Sequence, residues 1–339
     1  MNAKLEATGV LVQNAPRIDG LSFRLFQGDA EFEGMAAVIY ACKVADRVER
    51  SESADDLRRM YQHLSNSDPY QDVLIADVYG QLVGYSRTSW FQLDGTKERI
   101  YQSFGYLHPE WRRRGIGRAM LRWNEAHQRQ IAGGHPQDGP RSFESFARDS
   151  EAGTHALLQA EGYTPVRFFN QMVRPDLENI PDLPLPAGLE VRPVRPDDYY
   201  QVWAASMEAF RDHWGFSSQM EPFEGWMDNR NQQPELWQVA WAGDEVAGMV
   251  LNYIDTSENE EYQRKRGWTE NICVRRPWRG QGLAKALIAR SLRLLKDKGM
   301  QDAALGVDSQ NLSGALKLYE YMGFRKVDGS TNYRKPFED

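Results

Sequence analysis

The chain repeats itself, and the repeat limits what it can fold into more than any other feature. A short strand-like segment, SFRLF around Arg24, returns as LEVRPV around Arg192. A strand pair around a turn, DVYGQLVGY, returns as WAGDEVAGMV, with Gly84 and Gly248 in matching places. A basic, glycine-rich turn, LHPEWRRRGIGRAML, returns as VRRPWRGQGLAKALI, matching Arg112 to Arg279. A helix that runs into Gly-aromatic, ALLQAEGY, returns as LKLYEYMGF, matching Gly162 to Gly323. The offsets run from 161 to 168 residues, and loop insertions account for a drift of that size. Two copies of one fold in tandem are therefore expected.

The segment RPDLENIPDLPLPAGLE separates the copies, and its prolines disfavour both helix and central strand. The expected domains are 1–174 and 189–339, joined by a proline-rich linker at 175–188. Each half reads as strand, helix, helix, three strands, turn, helix, strand, helix, strand. In the second half YYQVWAASMEAF has helical spacing, and a hairpin turns at Gly243–Asp244. GWTENICV is the next strand; Leu283, Leu287, Ile288, Ser291, Leu294 and Leu295 then recur at helical spacing. Strands mixed with helices at this frequency indicate an α/β sandwich. The length of 339 residues agrees with two domains of ordinary size.

The glycine-rich turn Arg279-Gly280-Gln281-Gly282-Leu283-Ala284 follows a strand and opens a helix. Backbone N–H groups at a helix start lack intrahelical partners, and the helix dipole favours negative charge there. A pyrophosphate is a natural occupant. Neither half carries the glycine pattern of a dinucleotide fold or the Gly-Lys-Ser/Thr of a P-loop.

The pattern Arg-x-x-Gly-x-Gly/Ala between a strand and a helix resembles motif A of the GNAT N-acetyltransferases. Arg279, Gly282 and Ala284 match it, and so do Arg112, Gly115 and Gly117. The closing segment is similar as well, through Ala315, Leu318, Tyr319, Gly323 and Phe324. The resemblance covers both halves and implies two tandem GNAT domains, each a mixed, mostly antiparallel sheet flanked by helices. It implies acetyl-CoA as cofactor, held by Ile272, Cys273, Val274 and the turn Arg279, Gly280, Gln281, Gly282, Leu283, Ala284 and Lys285. Asn311 stands one position upstream of the family's commonest spacing for a further contact. In the first half the matching group is Leu107, Arg112, Gly115 and Gly117.

Acetyl transfer to an amine requires a base, donors for a developing oxyanion, and a proton for the departing thiolate. Glu270 is the acid on the strand before the turn, and simple alternation puts it on one face with Ile272 and Val274. It reads either as the general base or as an edge carboxylate. Glu260 and Glu261 lie upstream in what reads as a solvated loop. Tyr319 reads as general acid by the resemblance or as a core aromatic, and an N–H near Cys273–Val274 is the implied oxyanion donor. Counting along the repeat sets Leu158 opposite Tyr319 and Ser103 opposite Glu270, so the first half is expected to be catalytically silent.

The acceptor side falls on AFRDHWGFSSQMEPFEGWMDN, where Asp212, His213, Trp214 and Trp226 are the candidate lining. His213 competes with Glu270 as base. A small-molecule amine or a peptide is the expected acceptor. The net charge of −7 argues against nucleic acid, and no apolar run is long enough to span a membrane. Two cysteines, Cys42 and Cys273, offer neither a disulfide framework nor a metal site, so a reducing cytoplasm is expected. Monomer and homodimer both stay open. A non-catalytic acyl-CoA-binding protein on the same fold is the alternative reading. A tandem aminoacyl transferase using charged tRNA is disfavoured by the intact turn.

Overall fold

A computed structural model describes residues 9–219, 222–311 and 314–337. The chain forms two compact units, one of residues up to Val166 with those from Thr331 onward, the other Arg167–Ser330. The last strand of the first half thus works inside the second unit, and the end of the chain inside the first.

The first half runs β1 (Leu21–Leu25), α1 (Phe32–Asp46), α2 (Ala54–Gln62), a short α3 (Pro69–Asp72), β2 (Val73–Val78), β3 (Gln81–Gln92), β4 (Arg99–Leu107), α4 (Ile116–Ala132), β5 (Arg141–Arg148), α5 (Ala152–Ala160) and β6 (Thr164–Arg174). In the first unit β1 to β4 pair antiparallel, and β5 joins β4 in parallel. Alternation divides the apolar residues between two faces. Val73, Ile75 and Tyr85 pack with residues of α1 and α2. Leu74, Ala76 and Val83 pack with Ile116 and Met120 of α4. α2 starts on a capping box in which Ser53 and Asp56 exchange hydrogen bonds.

The second half runs β7 (Glu190–Val191), α6 (Tyr199–Phe210), α7 (Phe223–Asp228), β8 (Gln238–Ala242), β9 (Glu245–Tyr253), α8 (Thr256–Glu261), β10 (Arg266–Val274), α9 (Leu283–Asp297), β11 (Asp302–Asp308), α10 (Ala315–Tyr321) and β12 (Arg325–Pro336). In the second unit the order is β7-β8-β9-β10-β11-β6, with β10 and β11 parallel and the other neighbours antiparallel. One face packs on α6 and α7, the other on α9 and α10. The proline-rich segment is not a loose tether: Ile180, Leu183 and Leu185 pack on the second face. Arg174 anchors its start by donating to the carbonyls of Asp176, Glu178 and Met322.

The matching Gly84 and Gly248 have one steric cause. A Cβ on Gly84 would come within 2.9 Å of the Tyr106 carbonyl oxygen, and one on Gly248 within 2.8 Å of the Cys273 carbonyl oxygen. Each lets two strands approach where the next feature begins. β10 and β11 pair only over Arg266–Trp268 and Asp302–Ala304, then part, and β4 and β5 part beyond Gln102 and Glu144.

The simple alternation expected along β10 is broken. Glu270 pairs with Leu251 but Cys273 with Met249, so two residues oppose one in a β-bulge, and Asn271 takes a φ of +46°. The extra residue shifts the phase. Glu270 shares a face with Cys273, Met249 and Leu251, and not with Ile272 and Val274, which pack toward α9.

Candidate active site

The head of α9 has no side-chain cap. Gly282, at its N-cap, has φ +88°, and Gly280 has φ +76°. No atom lies within 4 Å of where either would carry a Cβ. The amides of the first turn, from Leu283, Ala284 and Lys285, thus have neither an intrahelical acceptor nor a side-chain cap, and the positive helix end lies behind them. Gln281 folds back to donate to the Pro277 carbonyl at 3.1 Å, and the Lys285 ammonium lies 4.5 Å from the Tyr321 ring centroid. Gly282→Ala is expected to cost about 1–2 kcal/mol of stability through its left-handed backbone. It is also expected to weaken diphosphate binding, which calorimetry with coenzyme A would check.

Arg279, the most recognisable residue of the turn, is occupied by the protein. Its guanidinium donates to the carbonyls of Val274 (2.9 Å) and Ala209 (3.1 Å) and to Asp212 (2.8 Å). Asp212 also pairs with Arg276, and these two arginines hold its carboxyl well below the ordinary range. The first unit builds the same clamp, Arg112 gripping Asp46 and the Leu107 carbonyl. Asp212 is thus a brace for the turn.

The parting of β10 and β11 holds the titratable groups. Glu270 accepts a hydrogen bond at 3.1 Å from the N–H of Gly306 on β11. Loss of solvent pushes its carboxyl up to about 7, with the Gly306 N–H opposing. Tyr319, on α10, is 6% exposed. Burial first, then the charges of Glu270 and Cys273, raise its phenol well above the ordinary range. Burial pushes the Cys273 thiol up to about 12, so it stays a neutral core group. The Arg275 N–H bonds to Ala247 on β9 (3.0 Å), so strand alternation turns the Val274 N–H toward the open side.

Two groups escaped the sequence reading. Gly306 was hidden because its contribution is a backbone N–H, though a lone glycine inside a strand signals close approach. Tyr253 stacks on Trp268 (5.9 Å, 5°), on the face of Glu270, and its phenol is raised by burial and then by the Glu270 charge. Of the acceptor candidates, Trp226 is 2% exposed and packs against Trp237 in the core, where no ligand reaches it. Trp214 lies near Phe169 and under the Arg167 guanidinium (5.5 Å), and Arg167 is paired with Asp308. His213 is drawn below its ordinary pKa by burial, with Asp308 opposing. Asn311 follows β11, its N–H bonded to the Asp308 carbonyl.

In the first unit a cavity of about 510 Å³ opens where β4 and β5 part, and Leu107, Arg112, Gly115 and Gly117 line it. Gly115 caps α4 with φ +89°, and Arg113 takes φ +63° where the second unit has Gly280. Leu158 is buried at the position of Tyr319. The ladder corrects the other match. Without a bulge in β4, the partner of Glu270 is Phe104, opposite Arg87 as Glu270 is opposite Leu251, and Ser103 falls on the other face.

A helix head suited to a diphosphate, beside a parting that holds a raised carboxyl and a phenol, suits transfer of an activated group carried on a nucleotide handle. Comparison with known proteins agrees. Residues 199–324 match the Acetyltransferase (GNAT) family. The mycothiol acetyltransferase of Salinispora arenicola is 32% identical over 239 residues, 68% of this chain and 71% of its own. That of Geodermatophilus obscurus is 27% identical over 335 residues, 96% of this chain and 98% of its own. A GCN5-related N-acetyltransferase from Sphaerobacter thermophilus superposes with a TM-score of 0.69 at 25% identity, covering 94% of this chain and 96% of that one. The chain belongs to the GNAT acetyltransferase family. It is an N-acetyltransferase of tandem architecture that uses acetyl-CoA. The uncapped amides and open glycine positions at the head of α9 fit the cofactor's diphosphate. No helix among the described residues is long and apolar enough to cross a membrane.

Proposed function

We propose that the second unit acetylates the primary amine of a small molecule or peptide, and that the acceptor is a mycothiol-related amine. The acceptor reading is supported by the relatives named mycothiol acetyltransferase. The reading of the site rests on one observation above all: Glu270 sits where β10 and β11 part, accepting from the Gly306 N–H, and loss of solvent there pushes its carboxyl up to about 7. Acetyl-CoA, when bound, supplies an acetyl group activated as a thioester. Its holders would be the amides from Gln281 to Lys285, with the Ile272–Val274 edge of β10 and Asn311.

Glu270 takes the proton from the acceptor ammonium. A base near 7 is suited to that task at neutral pH, because it is largely ionised yet still basic enough to accept. The Val274 N–H is a fixed donor for an oxygen gaining negative charge. Tyr319 keeps its proton at neutral pH and holds it for a departing thiolate. His213 and Trp214 form the acceptor wall in this reading.

The first unit is silent in the same reading. It has Phe104 and Leu158 in place of the acid and the phenol, and it keeps Leu107, Arg112, Gly115 and Gly117 as a receptor for coenzyme A.

Release of coenzyme A thiol from acetyl-CoA, measured with a panel of amines that includes a mycothiol-related one, tests the proposal. Turnover with that amine is expected. Tyr319→Phe should lower kcat about 10²-fold with acetyl-CoA affinity unchanged. If no amine is turned over, or Tyr319→Phe retains full kcat, the reading is wrong.

A further inference from the structure

Beside the head of α9 the second unit carries two cations that its own carboxylates leave alone. Lys285 stands in the first turn of that helix, where a positive charge opposes the helix dipole. Its ammonium lies 4.5 Å from the Tyr321 ring centroid, and no carboxylate among the described residues pairs with it. Tyr321 is 60% exposed at the end of α10. The same ring lines a cavity of about 350 Å³ together with Arg174, Asp176, Gly323 and Arg325. Arg325 opens β12 and is exposed, and it too has no carboxylate partner among the described residues.

The other charges of this cavity are engaged. Arg174 donates to three backbone carbonyls, and the Asp176 carboxylate accepts from the N–H of Glu178 at 3.0 Å. The first unit supplies the contrast. Counting along the repeat, Arg118 stands for Lys285, Ala160 for Tyr321 and Thr164 for Arg325. Arg118 pairs at 2.7 Å with Glu161, which also takes Arg122. In the second unit the place of Glu161 belongs to Met322, which is buried. One copy neutralises its cation and lacks the ring and the second arginine. The other keeps two cations open around a ring.

Exposed cations without counter-ions do little for an empty fold, and one of these works against its own helix. They suit an anion that arrives on a ligand. With the diphosphate on the amides that open α9, as the proposed reading has it, the ribose of coenzyme A lies next to that turn. That ribose carries a further anion, the 3′-phosphate. A phosphate monoester presents about two negative charges and three acceptor oxygens at neutral pH. An ammonium meets it as a point charge, and a guanidinium meets it through two parallel hydrogen bonds. We propose that the second unit recognises the 3′-phosphate of coenzyme A through Lys285 and Arg325, on either side of Tyr321, and that the first unit does not read this group.

Calorimetric titration of the full-length protein with coenzyme A, and separately with 3′-dephospho-coenzyme A, tests this. The two ligands differ only in the monoester. The second unit's site is the one that Gly282→Ala weakens, and there coenzyme A should bind about tenfold more tightly or better. Arg325→Ala should bring coenzyme A down toward the affinity of 3′-dephospho-coenzyme A. It should leave the affinity of the latter, and the melting temperature, as in the wild type. Lys285→Ala should narrow the same gap, and Arg118→Ala in the first unit should leave it unchanged. Equal affinity of the two ligands for the second unit would overturn the inference while leaving the diphosphate reading intact. A loss in Arg325→Ala shared alike by both ligands, or a preference for the monoester that Arg118→Ala abolishes, would overturn it as well. Failure of both ligands to bind the second unit would remove the diphosphate reading and this inference together.

Discussion

Glu270→Gln should lower kcat by about 10²–10⁴-fold while acetyl-CoA binds as before. The amide keeps the shape and can still accept from the Gly306 N–H, but it cannot take a proton. The pH profile gives a second readout. Loss of solvent raises the Glu270 carboxyl to about 7, so the base is protonated and idle below that pH. In the wild type kcat/KM should fall about tenfold for each pH unit below 7 and level off above it, whereas the small residual rate of the variant should lack that ionisation. The stability consequence has the opposite sign to that of a salt-bridged acid. A carboxyl whose folded pKa is raised favours the fold when protonated, and that contribution is lost as pH rises through 7. Glu270→Gln should therefore melt no lower than the wild type at pH 8. A variant that unfolds there, or one that keeps both rate and profile, would remove Glu270 from the chemistry.

Arg334→Ala should destabilise the first unit by about 3–5 kcal/mol near pH 8, a larger effect than any surface pair could give. Arg334 lies on the last stretch of β12 and donates to Glu144 at 2.8 Å and to Glu98 at 3.1 Å. Glu144 is 3% exposed. Burial holds its carboxyl above the ordinary range even with Arg334 and Gln102 drawing it down. Removing the arginine leaves a buried carboxylate that can escape only by taking a proton, which raises its folded pKa further. The deficit should be small at pH 5, where protonation is easy, and should grow as pH rises. Denaturant melts at the two pH values would check this. A loss below about 1 kcal/mol at pH 8, or one that does not depend on pH, would contradict it. Deleting the chain from Thr331 should do more damage, because it also removes the Lys335 pair to buried Glu125.

The repeat was legible because each copy keeps the residues its geometry demands. Gly84 and Gly248 persist because a carbonyl sits under 3 Å from any Cβ, and Gly115 and Gly282 because the helix starts from a left-handed residue. The hairpin at Gly243–Asp244 and the apolar stripe of α9 follow from local rules alone. What escaped the reading was non-local. A bulge adds one residue with no compositional mark, so the face of Glu270 and its match in the first half were both misassigned. Asp212 and Trp226 suit a pocket by type, but one pairs with arginines on the motif turn and the other fills the core. The exchange of strands between units depends on pairings more than a hundred residues apart, which periodicity cannot register.

A crystal structure with acetyl-CoA bound bears most directly on the central claim. The account requires the diphosphate on the amides that open α9 and the thioester between Glu270 and Tyr319, whatever the first unit holds. Cofactor bound with its thioester remote from both side chains, or absent from the second unit, would contradict it.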